Sequence, residues 1–339
     1  MTAWIGARRR TFVKGVAGAL GCLAAGVRAQ PEDDTGRQLA DAPFTLIAPF
    51  PPGGPVDTLA RILSRGLNRI HGKPAVVENL PGAAGNIGMD KVRRAKPDGH
   101  TLLVVPAGNL TINPTLMPEF PFRVEQDFTP ITLLATAPNV LVAAPSSGIR
   151  DVKALIARAQ AKPDALSFAS PGVGSGLHLV GELFKQQTGI ELLHVPYKGT
   201  SPALNDVVGG AVPLMFSNLP GALPFIRDGK LLALGITDTQ RTPIAPGIPT
   251  LAEQGIDGVA VKSWYGLLGP GGLPPPIAAR LARDAAAILG DADNGQLLEA
   301  QGMTTTVSTP AEFAAAMREE TAVWLKVIRS RHIRMTNAP

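Results

Sequence analysis

From residue 44 onward the chain alternates short apolar runs with stretches of helical periodicity. The run FTLIA at 44–48 predicts a strand. Leu59, Ile62, Leu63, Leu67 and Ile70 then recur at spacings of three and four, which puts them on one helical face. Strand signals over 75–77 and 101–105 flank a helical stretch over 86–94. A rhythm of strand, loop, helix, strand joins parallel strands through crossover helices, so the class is α/β. Two apolar runs, 131–135 and 140–144, follow with no helix between them, and there the chain is predicted to cross to a second lobe. The rhythm resumes with helices over 152–161, 178–188 and 202–208 and strands over 166–169, 192–195, 212–216 and 231–236. The last of these is apolar throughout, as a buried parallel strand is. The run 259–268 predicts a return crossing. Helices over 277–289, 294–301 and 311–329 close the chain, the first entered through Pro274, Pro275 and Pro276.

The N-terminus does not fit this rhythm. Arg8, Arg9, Arg10 and Lys14 precede an uncharged stretch over 15–27 that is too short to cross a bilayer. Val27-Arg28-Ala29 then offers a small-x-small cleavage site before Gln30. The run RRTFVK at 9–14 reads as a twin-arginine export signal, an address and not an anchor. Residues 1–29 are therefore expected to be an export signal peptide and the mature chain periplasmic. Cys22 follows a small residue, but Ala19 stands where lipid-attachment sites usually carry Leu.

Removing the leader changes the charge argument. The full chain of 339 residues carries 32 Lys+Arg against 27 Asp+Glu. Five of those bases and no acid fall within 1–29, so the mature chain has 27 of each sign. A basic whole-chain pI would have suggested a nucleic-acid or membrane partner, and the mature chain gives no such hint. Its one cysteine, Cys22, goes with the leader, which excludes disulfides, thiol nucleophiles and thiolate metal sites. About 310 remaining residues exceed what a single core usually supports, so two lobes are expected.

Four Gly-rich loops sit between a strand and a helix: PFPPGGPVD at 49–57, LPGAAG at 80–85, SPGVGSG at 170–176 and PYKGTSP at 196–202. Ligands of open parallel sheets bind beyond the carboxyl ends of strands. Glycines let backbone N–H groups approach closely, and a helix N-terminus adds partial positive charge, so such loops suit a carboxylate. None contains Arg. Asp57 is read more simply as a residue tying down its own helix start. SPGVGSG lacks the Gly-Lys-Ser/Thr of a phosphate loop and does not fit G-x-G-x-x-G, and Ser175 is not in G-x-S-x-G. Ser175 and His178 could meet on one helical turn, but no acid is evident to orient His178. His71, His100, His194 and His332 show no metal-ligand spacing, and no cofactor is called for.

At these loops the sequence resembles the Bug family, the periplasmic binding receptors of tripartite tricarboxylate transporters. PFPPGGPVDTLAR (49–61), VVENLPGAAGNIG (76–88), HVPYKGTSPAL (194–204) and SWYGLLGP (263–270) look like its signature segments, in register from about residue 44 to 329. The resemblance implies a two-lobed periplasmic-binding-protein fold, type II-like, each lobe a mainly parallel sheet flanked by helices. Residues 30–138 with 263–339 would form the first lobe and 139–262 the second, with the ligand in the cleft between them. It implies a monomer that captures a small carboxylate and hands it to membrane permease subunits, with no chemistry performed. The expected contacts are Phe50, Gly54, Val56, Asp57, Asn109, Ser170, Gly174, Ser175, Ser217 and Asn218, with Tyr197 and Thr200 nearby. Val56, Val173, Leu177 and Ser217 stand where the family commonly carries Thr, Asn, Thr and Asp, which argues against a highly polar ligand. A sensing role beside a two-component system is the alternative, and a Ser175-dependent hydrolase the more distant one.

Overall fold

The first three strands, β1 (Phe44–Ala48), β2 (Ala75–Asn79) and β3 (Thr101–Pro106), pair in parallel in the order β3-β1-β2. The structure, a computed structural model, describes residues 38–333 apart from 118, 164 and 198. The stretch 1–29 expected to be an export signal, with Cys22, Arg9 and Arg10, lies outside the described residues. Strand β4 (Phe128–Ala137) belongs to the same sheet. After Pro138 the chain enters a second sheet with β5 (Asn139–Ala143), β6 (Ser167–Ser170), β7 (Leu193–Pro196), β8 (Leu214–Asn218) and β9 (Leu232–Ile236). It returns with β10 (Ser263–Pro270) and ends on β11 (Thr304–Thr305). The sheet orders are β11-β4-β10-β3-β1-β2 and β7-β6-β8-β5-β9.

Both sheets are flanked by helices. The parallel pairs are those made by crossover helices, whereas the strands that carry the chain between sheets run antiparallel to their neighbours. That follows from connectivity, because a chain entering β5 straight from β4 has no crossover helix to bring it back in parallel.

Helix Pro55–His71 buries Leu59, Ile62, Leu63 and Leu67 against the first sheet. Ile70, expected on that face, is exposed, and His71 takes the buried place one turn after Leu67. There its Nε2 lies 2.8 Å from Asp284 Oδ2 of helix Pro275–Leu289. Gly66 lets these two helices touch, since a Cβ at that position would overlap the Ile288 side chain.

The helix Pro310–Ser330 opens with a capping box of Thr309 and Glu312. Its length, about 30 Å at 1.5 Å per residue, lets it serve two cores. Phe313 and Met317 pack with Leu103, Val105 and Leu268 of the first sheet. Trp324, Val327 and Ile328 join Leu179, Val180 and Leu183 of helix Gly176–Thr188 in the second. Just beyond it, Arg331 Nε donates to Glu182 Oε2 at 3.0 Å. The last turns of a segment expected in the first lobe thus complete the core of the second.

Candidate functional site

A cavity of about 410 Å³ opens between the two sheets. Of the twelve residues expected at the site, Phe50, Asn109, Gly174, Ser175, Thr200 and Asn218 line it. A second hollow shares Thr200, Asn218 and Tyr265 with it and reaches the Pro49–Pro55 loop through Gly53 and Pro55.

The remaining expected residues sit behind these walls. Val56 lies in the core of the first lobe. Asp57 ties its loop to its helix: Oδ2 accepts from Gly53 N at 3.0 Å and Arg61 Nε at 2.9 Å, and Oδ1 accepts from Asn79 Nδ2 at 3.1 Å. Burial disfavours its charge, but those donors outweigh it and hold the carboxyl below its ordinary range. Gly54 begins that helix and touches neither hollow directly. Tyr197 packs against the second lobe's core and donates to Asp206 Oδ2 at 2.6 Å; burial, then Asp206, pushes its pKa up to about 12. Ser217 is fully buried, its hydroxyl on the Asn218 carbonyl.

Ser170 is also fully buried, and its Oγ lies 2.7 Å from His194 Nε2. His194 stacks on His178 with ring centroids 3.8 Å apart. His178 Nδ1 accepts from Gly174 N at 3.1 Å, so it is the neutral tautomer protonated on Nε2. Burial, reinforced by Lys185, brings the His178 pKa down to about 4. Burial, then His178, brings that of His194 to about 3, with Glu182 opposing.

These bonds remove both Gly174 N–H and Ser175 Oγ from ligand duty. Ser175 Oγ donates to Gly172 O at 2.8 Å and accepts from His178 N at 3.2 Å as the helix N-cap. Its hydroxyl does not address the His178 ring, and Glu182, the nearest acid, lies 3.9 Å from Nε2. A nucleophile–base pair is absent here. The donors that this helix start leaves to the cavity are the N–H groups of Gly176 and Leu177, which have no intrahelical acceptor and carry the helix's positive end.

Asn218 contributes to the hinge more than to the pocket. Its Nδ2 donates to Asn139 Oδ1 at 2.9 Å and Ser263 Oγ at 2.8 Å, and Ser263 Oγ donates to Asn139 Oδ1 at 2.9 Å. Asn139 starts β5 and Ser263 starts β10, so this triangle joins both crossings. All three residues line the cavity, and Asn139 and Ser263 were not expected there. Trp264, Tyr265, Lys262 and Glu320 were also missed. The SWYGLLGP segment was the available signal for Ser263 to Tyr265. Burial pushes the Tyr265 pKa up to about 12, keeping its hydroxyl protonated as a donor. Of the four positions read as apolar departures, Val173 and Leu177 face the cavity, while Val56 and Ser217 do not.

A family model described as tripartite tricarboxylate transporter family receptor matches residues 59–333. The protein BugT of Bordetella pertussis is 36% identical over 85% of this chain and 88% of its own. The solved periplasmic binding protein BugD superposes with a TM-score of 0.73 at 31% identity, covering 87% of this chain and 99% of that one. A protein of R. palustris solved with adipate superposes with a TM-score of 0.77 at 33% identity, covering 87% and 98%. The family and these neighbours are solute-binding receptors, not enzymes. Among the described residues no helix is long and apolar enough to cross a membrane.

Proposed function

The chain belongs to the tripartite tricarboxylate transporter receptor family, and we propose from that premise that it captures a small carboxylate in the periplasm and delivers it to a membrane permease of that class. The observation that carries the reading is the cavity between the sheets, whose second-lobe wall is a Ser175-capped helix start offering two unpaired N–H groups. Such a terminus favours an anion without any cationic side chain. Phe50, Ile112, Val173, Leu177, Val180 and Trp264 supply apolar walls for the rest of the ligand. The bound adipate of the R. palustris neighbour supports the carboxylate class. Export over the twin-arginine route through residues 8–14, cleavage before Gln30 and a monomeric receptor complete the proposal. The lobes are residues 30–138 with the stretch from 263, and 139–262, with the end of helix Pro310–Ser330 reaching across.

Calorimetric titration of the purified protein with aliphatic, hydroxy, amino and aromatic carboxylates tests it. At least one should bind at micromolar concentration, equivalent to about −8 kcal/mol, and be recovered unchanged by mass spectrometry. Uniform failure of the panel, or chemical conversion of the bound compound, overturns the reading.

A further inference from the structure

Among the described residues the carboxyl of Glu320 is the one acidic group on the cavity wall, and no cation is bonded to it. Its Oε2 accepts from Trp264 Nε1 at 2.5 Å and its Oε1 from Trp324 Nε1 at 3.0 Å. Indole N–H groups can only donate, so both oxygens are fixed as acceptors. Neither indole carries charge, and each is itself held: Trp324 is buried in the second lobe's core, and Trp264 packs edge-on against Phe313 at 5.4 Å. The one cation on the wall is Lys262, which is exposed and bonded to Asp238 Oδ2 at 2.9 Å. A solvated, already paired ammonium at the rim offers a second anionic group little.

We propose that Glu320 is a specificity-determining residue: it disfavours ligands with a second carboxylate and favours those presenting a hydrogen-bond donor, such as a hydroxyl, at the end away from the Gly176–Leu177 amides. This rests on the carboxylate reading and deepens it. The reason is acceptor against acceptor. A second ligand carboxylate brought beside Glu320 would set lone pairs against lone pairs in a partly dehydrated space, whereas a hydroxyl could donate to an oxygen already oriented by an indole. Burial raises the Glu320 pKa, with the two indoles and Thr111 opposing; the acceptor argument applies to the ionised carboxylate, since a protonated one would present an O–H donor. Val173 and Leu177, which also line the cavity, bring no polar side chain that would reverse it. The proposal sets this chain apart from its adipate-bound neighbour.

The test compares three six-carbon probes by calorimetry: hexanoate, 6-hydroxyhexanoate and adipate. In the wild type 6-hydroxyhexanoate should bind at least tenfold more tightly than adipate. Glu320→Gln keeps the shape and one acceptor oxygen while removing the acid, and should narrow that ratio at least tenfold, mainly by tightening adipate. The variant's far-UV spectrum should match that of the wild type, while its ligand-free melting temperature should fall, because one indole N–H then faces an amide NH2 instead of an acceptor. Adipate binding as tightly as 6-hydroxyhexanoate in the wild type overturns the inference whether or not the variant folds. A folded Glu320→Gln protein with an unchanged ratio also overturns it and leaves Glu320 a purely structural partner of the two indoles. If no carboxylate binds at all, the carboxylate reading fails and this inference with it, an outcome distinct from tight adipate binding.

Discussion

Acidification should act on this fold first through the stacked pair His178 and His194. Both rings are held neutral, with folded pKa values of about 4 and about 3 against an ordinary 6.5. The native state therefore binds fewer protons than the unfolded chain, so the stability from this pair is complete above pH 6.5 and is lost as pH falls through that value toward 4 and 3. At pH 5 an unfolded imidazole is protonated about thirtyfold over neutral, and refusing the proton costs the fold about 2 kcal/mol per ring. Two rings give about 4 kcal/mol, a large part of the 5–15 kcal/mol typical of a domain. The carboxylates held below their ordinary range, Asp57, Asp90, Glu191, Glu253 and Glu312, add their own loss of stability only at lower pH, as it falls through ordinary carboxylate values. Urea unfolding of the ligand-free protein at pH 8, 6.5 and 5 measures the effect. The control is His178→Asn with His194→Gln, whose amide groups fall near Nδ1 and Nε2 and can keep the bonds to Gly174 and Ser170. The wild type should lose about 4 kcal/mol more than the double variant between pH 8 and 5. Parallel pH profiles would refute the claim that the pair refuses protons.

Three further outcomes are expected. Gly181→Ala should destabilise by about 1–3 kcal/mol in urea unfolding, because its Cβ would overlap the edge of the Phe168 ring; an unchanged midpoint would mean the ring moves freely. Replacing Arg9 and Arg10 by Lys should leave the protein in the cytoplasm, and normal periplasmic levels on fractionation would favour the general secretory route. Saturation with a bound carboxylate should shrink the radius of gyration in small-angle scattering as the lobes close about the Ala137–Asn139 and 261–263 crossings; an unchanged radius would mean a rigid pocket.

The sequence made local things legible. The Gly-rich turns and the apolar faces of the crossover helices depend on residues within a few positions of one another, and each lies within a few residues of its predicted place. Helix Leu219–Arg227 was missed because Pro220, Gly221 and Pro224 look like a loop; the first proline occupies a first-turn position that lacks an acceptor anyway, and only Pro224 interrupts the ladder. Among the expected site residues, three whose polar groups proved unavailable to a ligand share a cause. Asp57, Ser170 and Gly174 have polar groups suited to a ligand, but each group meets an internal partner first, and a bond between fixed protein groups lacks the ordering cost of holding a ligand. Sequence shows the capacity of a loop to bind, whereas the three-dimensional partners decide which of its donors remain available.

The residues that sequence concealed are those whose meaning depends on distant pairing. Glu320 lies on a helix whose spacing reports one apolar face, and nothing in that spacing distinguishes the face over the first sheet from the one over the second. The helix is long enough to use both, and the change of partner falls between Met317 and Trp324. A side chain at that change of partner belongs to neither core, so Glu320 lines the cleft, 56 positions from the indole of Trp264 that orients it. The same reasoning explains Asn139 and Ser263, the first residues of strands that enter one sheet from the other. Polar side chains complete the bonding that the sheets cannot supply there. A cleft built at the crossings therefore draws its floor from the residues that hold the crossings together, and substitutions that alter ligand choice at Glu320 or Asn218 should also alter how the two lobes are held.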